Sequence, residues 1–233
     1  MSKDKSRANT CKRRTWFVCV KAILRIFIKK PKYVFLGDKF ESRALILSNH
    51  VGAKGPLAIE LYHPHGFRFW GTYEMNMGIV EVYKYLSVIY FHNKKHINKT
   101  LSKIIAFVAC PFLWIYYRGL KLIPTYSDYR LKKTIEQSFA TIKEGGSIVI
   151  FPENSSDGYH DKLTQFYAGF ATFANYCLKH GIDLPVYLTY LKKKPRVFVV
   201  DKPFMWSTVS HLSKKQISEM LLKRCNELGD MEI

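Results

Sequence analysis

Apolar and polar positions along the chain fall into short runs of two kinds. "RALILSN", Arg43 to Asn49, is a compact apolar block of the length that suits a buried strand. "GFRFWGTY" and "SVIYF" are weaker strand candidates. In "SDYRLKKTIEQSFATIKEGG", Leu131, Ile135, Phe139 and Ile142 recur at helical spacing, with Ser127 or Asp128 as cap and Gly145 as stop. "SIVIFPE" reads as a strand running into a proline turn. "LTQFYAGFATFANYCLKHG" reads as a helix stopped at Gly181, and "LPVYLTYL" and "RVFVV" as two more strands. From Ser213 onward, Ile217, Met220, Leu221 and Leu228 mark one side of a last helix. Strands alternating with helices predict a single α/β domain over residues 31–233, with a mixed central sheet flanked by helices.

The N-terminus breaks this pattern. Residues 1–13 are polar and basic and read as a mobile tail. Residues 14–30, "RTWFVCVKAILRIFIKK", carry a dense apolar face, with Lys21 and Arg25 one helical turn apart and basic clusters at both ends. That combination predicts a basic amphipathic helix in contact with a membrane, its rings and alkyl chains in the acyl boundary and its cations at the headgroups. A core-packing helix with a basic rim is the plainer alternative. A secretory signal is disfavoured because no small-x-small cleavage site follows. The other long apolar run, "IIAFVACPFLWIYY" (Ile104 to Tyr117), is too short to span a bilayer and contains Pro111. It reads as a buried helix or a helix–strand passage.

Charge narrows the partners. Lys and Arg number 37 against 18 Asp and Glu, a net charge of +19, which calls for a polyanion: nucleic acid, an anionic membrane or an anionic substrate. Zinc-finger spacing and RNP-type aromatic motifs are both missing, so nucleic acid is the weakest of the three. The aromatic content of 15% suits a lipid-facing protein. The five cysteines are scattered, with no C-x2-C pair, and read as reduced thiols rather than a disulfide framework or zinc site. His63 and His65 flank Pro64 in H-x-H spacing. With no third ligand evident they read as a turn with partly buried histidines, near enough to the first motif below to line the same groove.

Three stretches sit at predicted strand or helix ends, where α/β sheets place ligands: "SNHVGAKGP", "WIYYRGLKLIP" and "VIFPENSSDG". In this order they resemble the glycerolipid acyltransferase family, typified by 1-acylglycerol-3-phosphate acyltransferases. Asn49-His50 matches the family's Asn-His-x4-Asp motif, Arg118-Gly119 its arginine block, Phe151-Pro152-Glu153 its Phe-Pro-Glu block and Leu184-Pro185-Val186 its apolar-Pro-apolar strand. "FYAGFATFA" is similar to the helix after the third block. The resemblance covers roughly residues 14 to 205. It departs at two points: Gly55 stands where the family has its aspartate, and Asn154-Ser155-Ser156 where it has Gly-Thr-Arg.

The resemblance implies acyl transfer from a thioester, acyl-CoA or acyl carrier protein, to the hydroxyl of a lysophospholipid, with no metal and no further cofactor, on the cytoplasmic face of an anionic membrane. His50 would take the hydroxyl proton as general base. Asn49, Arg118, Gly119, Lys121, Phe151, Pro152 and Glu153 would bind substrate, Arg118 as a planar clamp on the acceptor phosphate. Lys54 or Arg68 would supply the charge lost with the third-block arginine. A catalytic histidine needs an acceptor to hold its ring. With Gly55 unable to provide one, Glu60, Glu153 or a backbone carbonyl of the glycine-rich turn are the candidates. Two other readings remain open: a lipid-binding member of the same fold that has lost catalysis, and a basic nucleic-acid-binding protein.

Overall fold

A computed structural model of the chain describes residues 10–232. Residues 1–9 of the expected tail lie outside that range. The rest of the tail is fastened: the Thr10 N–H donates to Glu144 (2.9 Å), Cys11 is buried, and Arg13 is ion-paired. In chain order the elements are α1 (Thr15–Phe27), β1 (Lys32–Phe35), β2 (Leu45–Ser48), α2 (Lys54–Tyr62), β3 (Phe67–Thr72), α3 (Ile79–Lys84), α4 (Lys99–Leu120) and β4 (Ile123–Thr125). Then follow α5 (Leu131–Lys143), β5 (Ser147–Ile150), α6 (Gly169–Lys179), β6 (Pro185–Lys192), β7 (Val197–Val200), β8 (Phe204–Met205) and α7 (Lys214–Asp230).

The expected α/β architecture with a mixed central sheet is present. Seven strands run in the order β1-β7-β6-β2-β5-β3-β4, and β8 adds to β6 as an eighth. Every pairing is parallel except β6 with β7 and β6 with β8. The central strands β2, β5 and β7 are buried along their whole length, as strands covered on both faces must be. One face carries α5, α6 and α7 over a core that includes Phe170, Phe173 and Trp206. On the other face, Phe17 of α1 and Ala58 and Ile59 of α2 pack against Phe69, Val149 and Tyr187 of the strands. A third, smaller cluster joins Val82 and Leu86 to Ala106 and Cys110 of α4. Because β2 and β5 are parallel neighbours, their carboxyl ends deliver Asn49-His50 and Phe151-Pro152-Glu153 to the same edge of the sheet.

The structure corrects several sequence expectations. "SVIYF" is not a strand: it lies in a π-helical stretch, Tyr85–Lys94, that continues α3 and packs along α4. Its apolar side is satisfied by Ala106 and Cys110, so it needs no sheet edge. The run Ile104 to Tyr117 is neither buried nor a passage into a strand. It lies within the 22-residue α4, of which only Ser102, Ala106, Cys110, Gly119 and Leu120 are buried. α6 begins at Gly169, because the preceding residues are extended and Phe166 forms a bridge with Glu153. The C-terminal helix opens on a reciprocal capping box formed by Ser213 and Gln216.

Gly119 is a packing residue. A Cβ built on it would lie 2.0 Å from Cδ2 of Phe17, whose ring is fully buried and also meets Tyr116 at 5.4 Å. The bare backbone of α4 here is what lets α1 dock. Gly119→Ala is expected to destabilise the fold by about 1–3 kcal/mol, the usual cost of overpacking. Chemical denaturation checks this, and an unchanged midpoint would show that Phe17 is free to move.

Candidate active site

The sheet edge that receives the ends of β2 and β5 forms one wall of a cavity of about 1340 Å³. This exceeds the roughly 300–1,000 Å³ of ordinary small-molecule sites. His50, Phe151, Pro152 and Glu153 border it near the sheet, while Trp16 and Leu24 of α1 and Phe112 and Ile115 of α4 form its apolar flank.

The position of His50 follows from its turn. Val51 and Gly52 both adopt positive φ, 50° and 62°. For β-branched Val51 this is a strained conformation. The two left-handed residues fold the chain back so that the Gly52 carbonyl accepts a hydrogen bond from His50 Nδ1 at 2.5 Å. Nδ1 then carries the proton, and Nε2 is the nitrogen with the open lone pair. The ring lies nearly parallel to Tyr159 at 4.9 Å and is tilted against Phe151 at 4.7 Å. Partial burial among these groups pushes the His50 pKa down to about 4, aided by nearby Lys94 and opposed by the Gly52 carbonyl.

The orienting group is therefore a backbone carbonyl, and Glu60 is not it. The Glu60 carboxylate is fully buried and accepts from Arg13 Nε (3.0 Å) and Nη2 (2.7 Å) and from Lys21 Nζ (2.9 Å). Both of its oxygens serve cations of the N-terminal segment. It sits on the buried side of α2, and its role is to anchor α1.

Gly55 proves to be a steric requirement. Its N–H donates to the His50 carbonyl at 3.2 Å, and a Cβ there would stand 2.4 Å from that same oxygen and 3.0 Å from the Asn49 oxygen. α2 starts too close to the histidine turn for any side chain at this position.

Other expected site residues have different employments. Asn49 is buried, with its amide spent on the backbone of one residue: Nδ2 donates to Leu191 O (3.1 Å) and Oδ1 accepts from Leu191 N (2.7 Å). It pins the end of β2 to β6 and is not open to substrate. Arg118 is exposed, with its guanidinium over Trp114 at 4.8 Å, and does not border the cavity. Gly119 receives Phe17, as described. Lys121 ends α4 in a left-handed conformation, and its carbonyl accepts from Arg68 Nε at 2.9 Å. That contact, with a second to Leu122 O, occupies Arg68, so it does not supply the cation expected of it. Lys54 is exposed at the start of α2 and does not border the cavity either. His63 and His65 lie away from the groove: His63 packs against Phe40 and Phe67, burial pushes its pKa down to about 3, and His65 bonds to the Phe40 carbonyl. Among the described residues no group of three or more His, Cys, Asp or Glu is placed to hold a metal.

Two cations that the sequence did not single out border the cavity instead. Lys94, at the end of the π-helical stretch, donates to Ser155 Oγ at 2.8 Å and lies over the Tyr159 ring at 5.3 Å. Burial lowers its pKa, and Glu153 partly restores it. Arg130 is held by Asp128 at 2.7 Å and stacks over Tyr126 and Tyr73 at 4.4 and 5.4 Å. Neither had a sequence signal, because each is brought in by a segment remote from the histidine turn.

Glu153 is the other unusual group. It is 7% exposed, and its Oε1 is buried with no hydrogen-bond partner. Burial raises its pKa to about 7, against the opposing pull of the His50 backbone N–H and of Lys94. The chain thus brings together a neutral histidine, a carboxyl poised near neutrality and an ammonium at the head of an apolar cavity.

A carboxylate introduced by Gly55→Asp should not create a dyad with His50. It should cost about 1–3 kcal/mol through the clash with the His50 carbonyl, visible in a denaturant titration; a stable variant with higher activity would refute it. His50 is held below its usual 6.5, so its contribution to stability is present above pH 6.5 and is lost as pH falls toward 4. Glu153 is held above its usual 4.5, so its contribution is present below pH 4.5 and is lost as pH rises through about 7. Each is worth about 3 kcal/mol, and in the native protein the opposed slopes largely cancel. Glu153→Gln should expose a stability that rises from pH 4 to 6.5, and His50→Gln one that falls from pH 4.5 to 7. Parallel flat profiles in both variants would contradict the assignment.

Compared with known proteins, the chain matches no family model and no curated protein, so the chemistry of this site rests on its own residues.

Proposed function

We propose that this protein is a membrane-associated acyltransferase that moves a fatty acyl group from a thioester to the hydroxyl of a lysophospholipid, with His50 as general base. The observation that carries the reading is the junction of a tautomer-fixed histidine with a cavity large and apolar enough for an acyl chain. The thioester would be acyl-CoA or an acyl carrier protein, and the net charge of +19 favours an acidic carrier and an anionic membrane.

The chemistry uses these groups directly. The acceptor hydroxyl donates to His50 Nε2. As its oxygen attacks the thioester carbonyl, the proton passes to Nε2, the C–S bond breaks, and the thiolate leaves and collects a proton. The Gly52 carbonyl keeps the ring in the required tautomer throughout. A carbonyl dipole supports the resulting imidazolium less than a carboxylate does, so the turnover is slower than a His–Asp dyad would give. Lys94 and Arg130 replace Arg118 as the cations for the acceptor phosphate, in keeping with their place on the cavity wall.

One observation favours a second reading, a lipid-binding protein of the same fold without catalysis: His50, held near a pKa of 4, is a weak base. Purified protein incubated with labelled acyl-CoA and acyl carrier protein against a panel of lysophospholipids separates the two. The acyltransferase reading expects product, and lipid binding with no product from any pair would leave the second. His50→Ala should reduce kcat/KM by about 10²–10⁴-fold with the fold intact. Lys94→Met should raise KM for the anionic acceptor about tenfold with less effect on kcat, the mark of lost ground-state binding. Full activity in the His50 variant would remove it as the base.

A further inference from the structure

α4 has no structural reason to be so apolar. At 1.5 Å per residue its 22 residues run about 33 Å. One side packs on the π-helical stretch through Ala106 and Cys110. On the opposite side Leu101, Ile104, Phe107, Val108, Phe112 and Ile115 are 45–75% exposed. Their spacing keeps them on one face, and a continuous apolar face of this size on a folded protein marks an interaction surface. Beside it, Met77, Ile79 and Val80 are 42–56% exposed, and the Ile79 carbonyl contacts Cys110 of α4. α1 offers a matching set: Val18, Ile23, Ile26 and Phe27 are 52–78% exposed. The two helices meet where Phe17 rests on Gly119 and Tyr116.

Charge indicates what covers this surface. Residues 5–37 and 82–127 contain no aspartate or glutamate, yet hold 17 of the chain's 37 lysines and arginines. Lys99 and Lys103 stand at one end of the α4 face, and Arg118, stacked on Trp114, at the other. Cations and an indole at the ends of an apolar stripe suit an anionic bilayer interface, where heads reach the phosphates and rings sit at headgroup level. A protein partner would not require both segments to be free of acids.

We propose that α4 is the principal membrane-embedded element, that it lies with α1 in one leaflet of an anionic bilayer, and that the cavity opens between the two helices into the acyl layer. Lateral entry follows from the lining: Trp16, Val20 and Leu24 of α1 and Phe112, Leu113 and Ile115 of α4 face the same cavity. A lipid's chain slides in from the bilayer while its headgroup stays near Lys94 and Arg130. Arg118 thereby has a role outside the cavity, at the headgroup boundary. The lateral entry rests on the acyl-transfer reading, whereas the docking of α4 does not.

The test uses the full chain and vesicles of phosphatidylcholine with or without phosphatidylglycerol. Flotation should require the anionic lipid. Phe107→Asp with Phe112→Asp, two side chains 73–75% exposed and outside the core, should lower vesicle partitioning about tenfold or more while leaving the unfolding transition in place. Independently, an environment-sensitive fluorophore on Phe107→Cys, in a Cys19→Ser background, should shift blue on vesicle addition and be quenched by lipids brominated in their acyl chains. The same fluorophore on Lys215→Cys of α7, across the sheet, should not. Wild-type flotation of the double-aspartate variant, or a fluorophore at 107 that stays aqueous, overturns the proposal. Docking through α4 without acyl transfer would keep α4 as the anchor and remove the enzyme reading. Acyl transfer to micellar substrate without docking would do the reverse.

Discussion

A single buried carboxylate fastens the N-terminal segment to the rest of this architecture. Glu60 has no access to solvent, and a charge in that position persists only if it is neutralised and hydrogen-bonded. Arg13 and Lys21 meet both needs, and both come from the N-terminal segment. That ion cluster fastens α1 across α2, with Arg25 adding two bonds to the Leu61 carbonyl and Tyr62 one to the Ile28 carbonyl. Without α1 in this place the cavity has no N-terminal wall and Phe17 no reason to sit on Gly119. The anchoring charge, the N-terminal wall of the cavity and the apolar outer surface of α1 are consequences of one arrangement.

The histidine turn is shaped by a second constraint. α2 begins so soon after His50 that its first turn presses on the His50 carbonyl, and only glycine fits at position 55. There is no space for a carboxylate at this position, and the left-handed pair Val51–Gly52 turns a main-chain carbonyl toward Nδ1. A carbonyl fixes a tautomer as well as a carboxylate does, but brings no full charge. Burial then dominates the electrostatics of the ring, and the same burial pushes Glu153 the other way. The usual order of the two groups is reversed, about 4 for the histidine and about 7 for the glutamate, so between those values both are electrically neutral.

Much of the α/β pattern was legible along the chain, because buried strands and amphipathic helices must write their burial into local periodicity. β2, β5, β6, β7, α5 and α7 all lie where their runs place them, though α5 starts at Leu131 without the side-chain cap that Ser127 or Asp128 was expected to give. What misled was apolarity without its destination. The π-helical stretch Tyr85–Lys94 and the long α4 are rich in the same residues as a strand or a core helix, and periodicity does not say whether an apolar face meets protein or is left open. β4 and β8, two or three residues each, are too short to carry a pattern, and β1 is exposed or half-buried along its length and so lacks the continuous apolar block of β2, β5 and β7.

The sequence by itself determined that His50 stands at a strand end before a glycine-rich turn, that Phe151-Pro152-Glu153 follows a strand, and that the chain carries a large cationic excess. These are local facts, set by residues within a few positions of each other. Tertiary structure alone decided which residues share the cavity. It brought Lys94 and Arg130 to the wall, turned Arg118 outward onto Trp114, and spent Asn49 on Leu191 and Glu60 on Arg13 and Lys21. The reason is physical: a polar side chain's role depends on which partner satisfies its bonding and its charge, and for Asn49 and Glu60 those partners lie 39 to 142 residues away, beyond the reach of any local pattern.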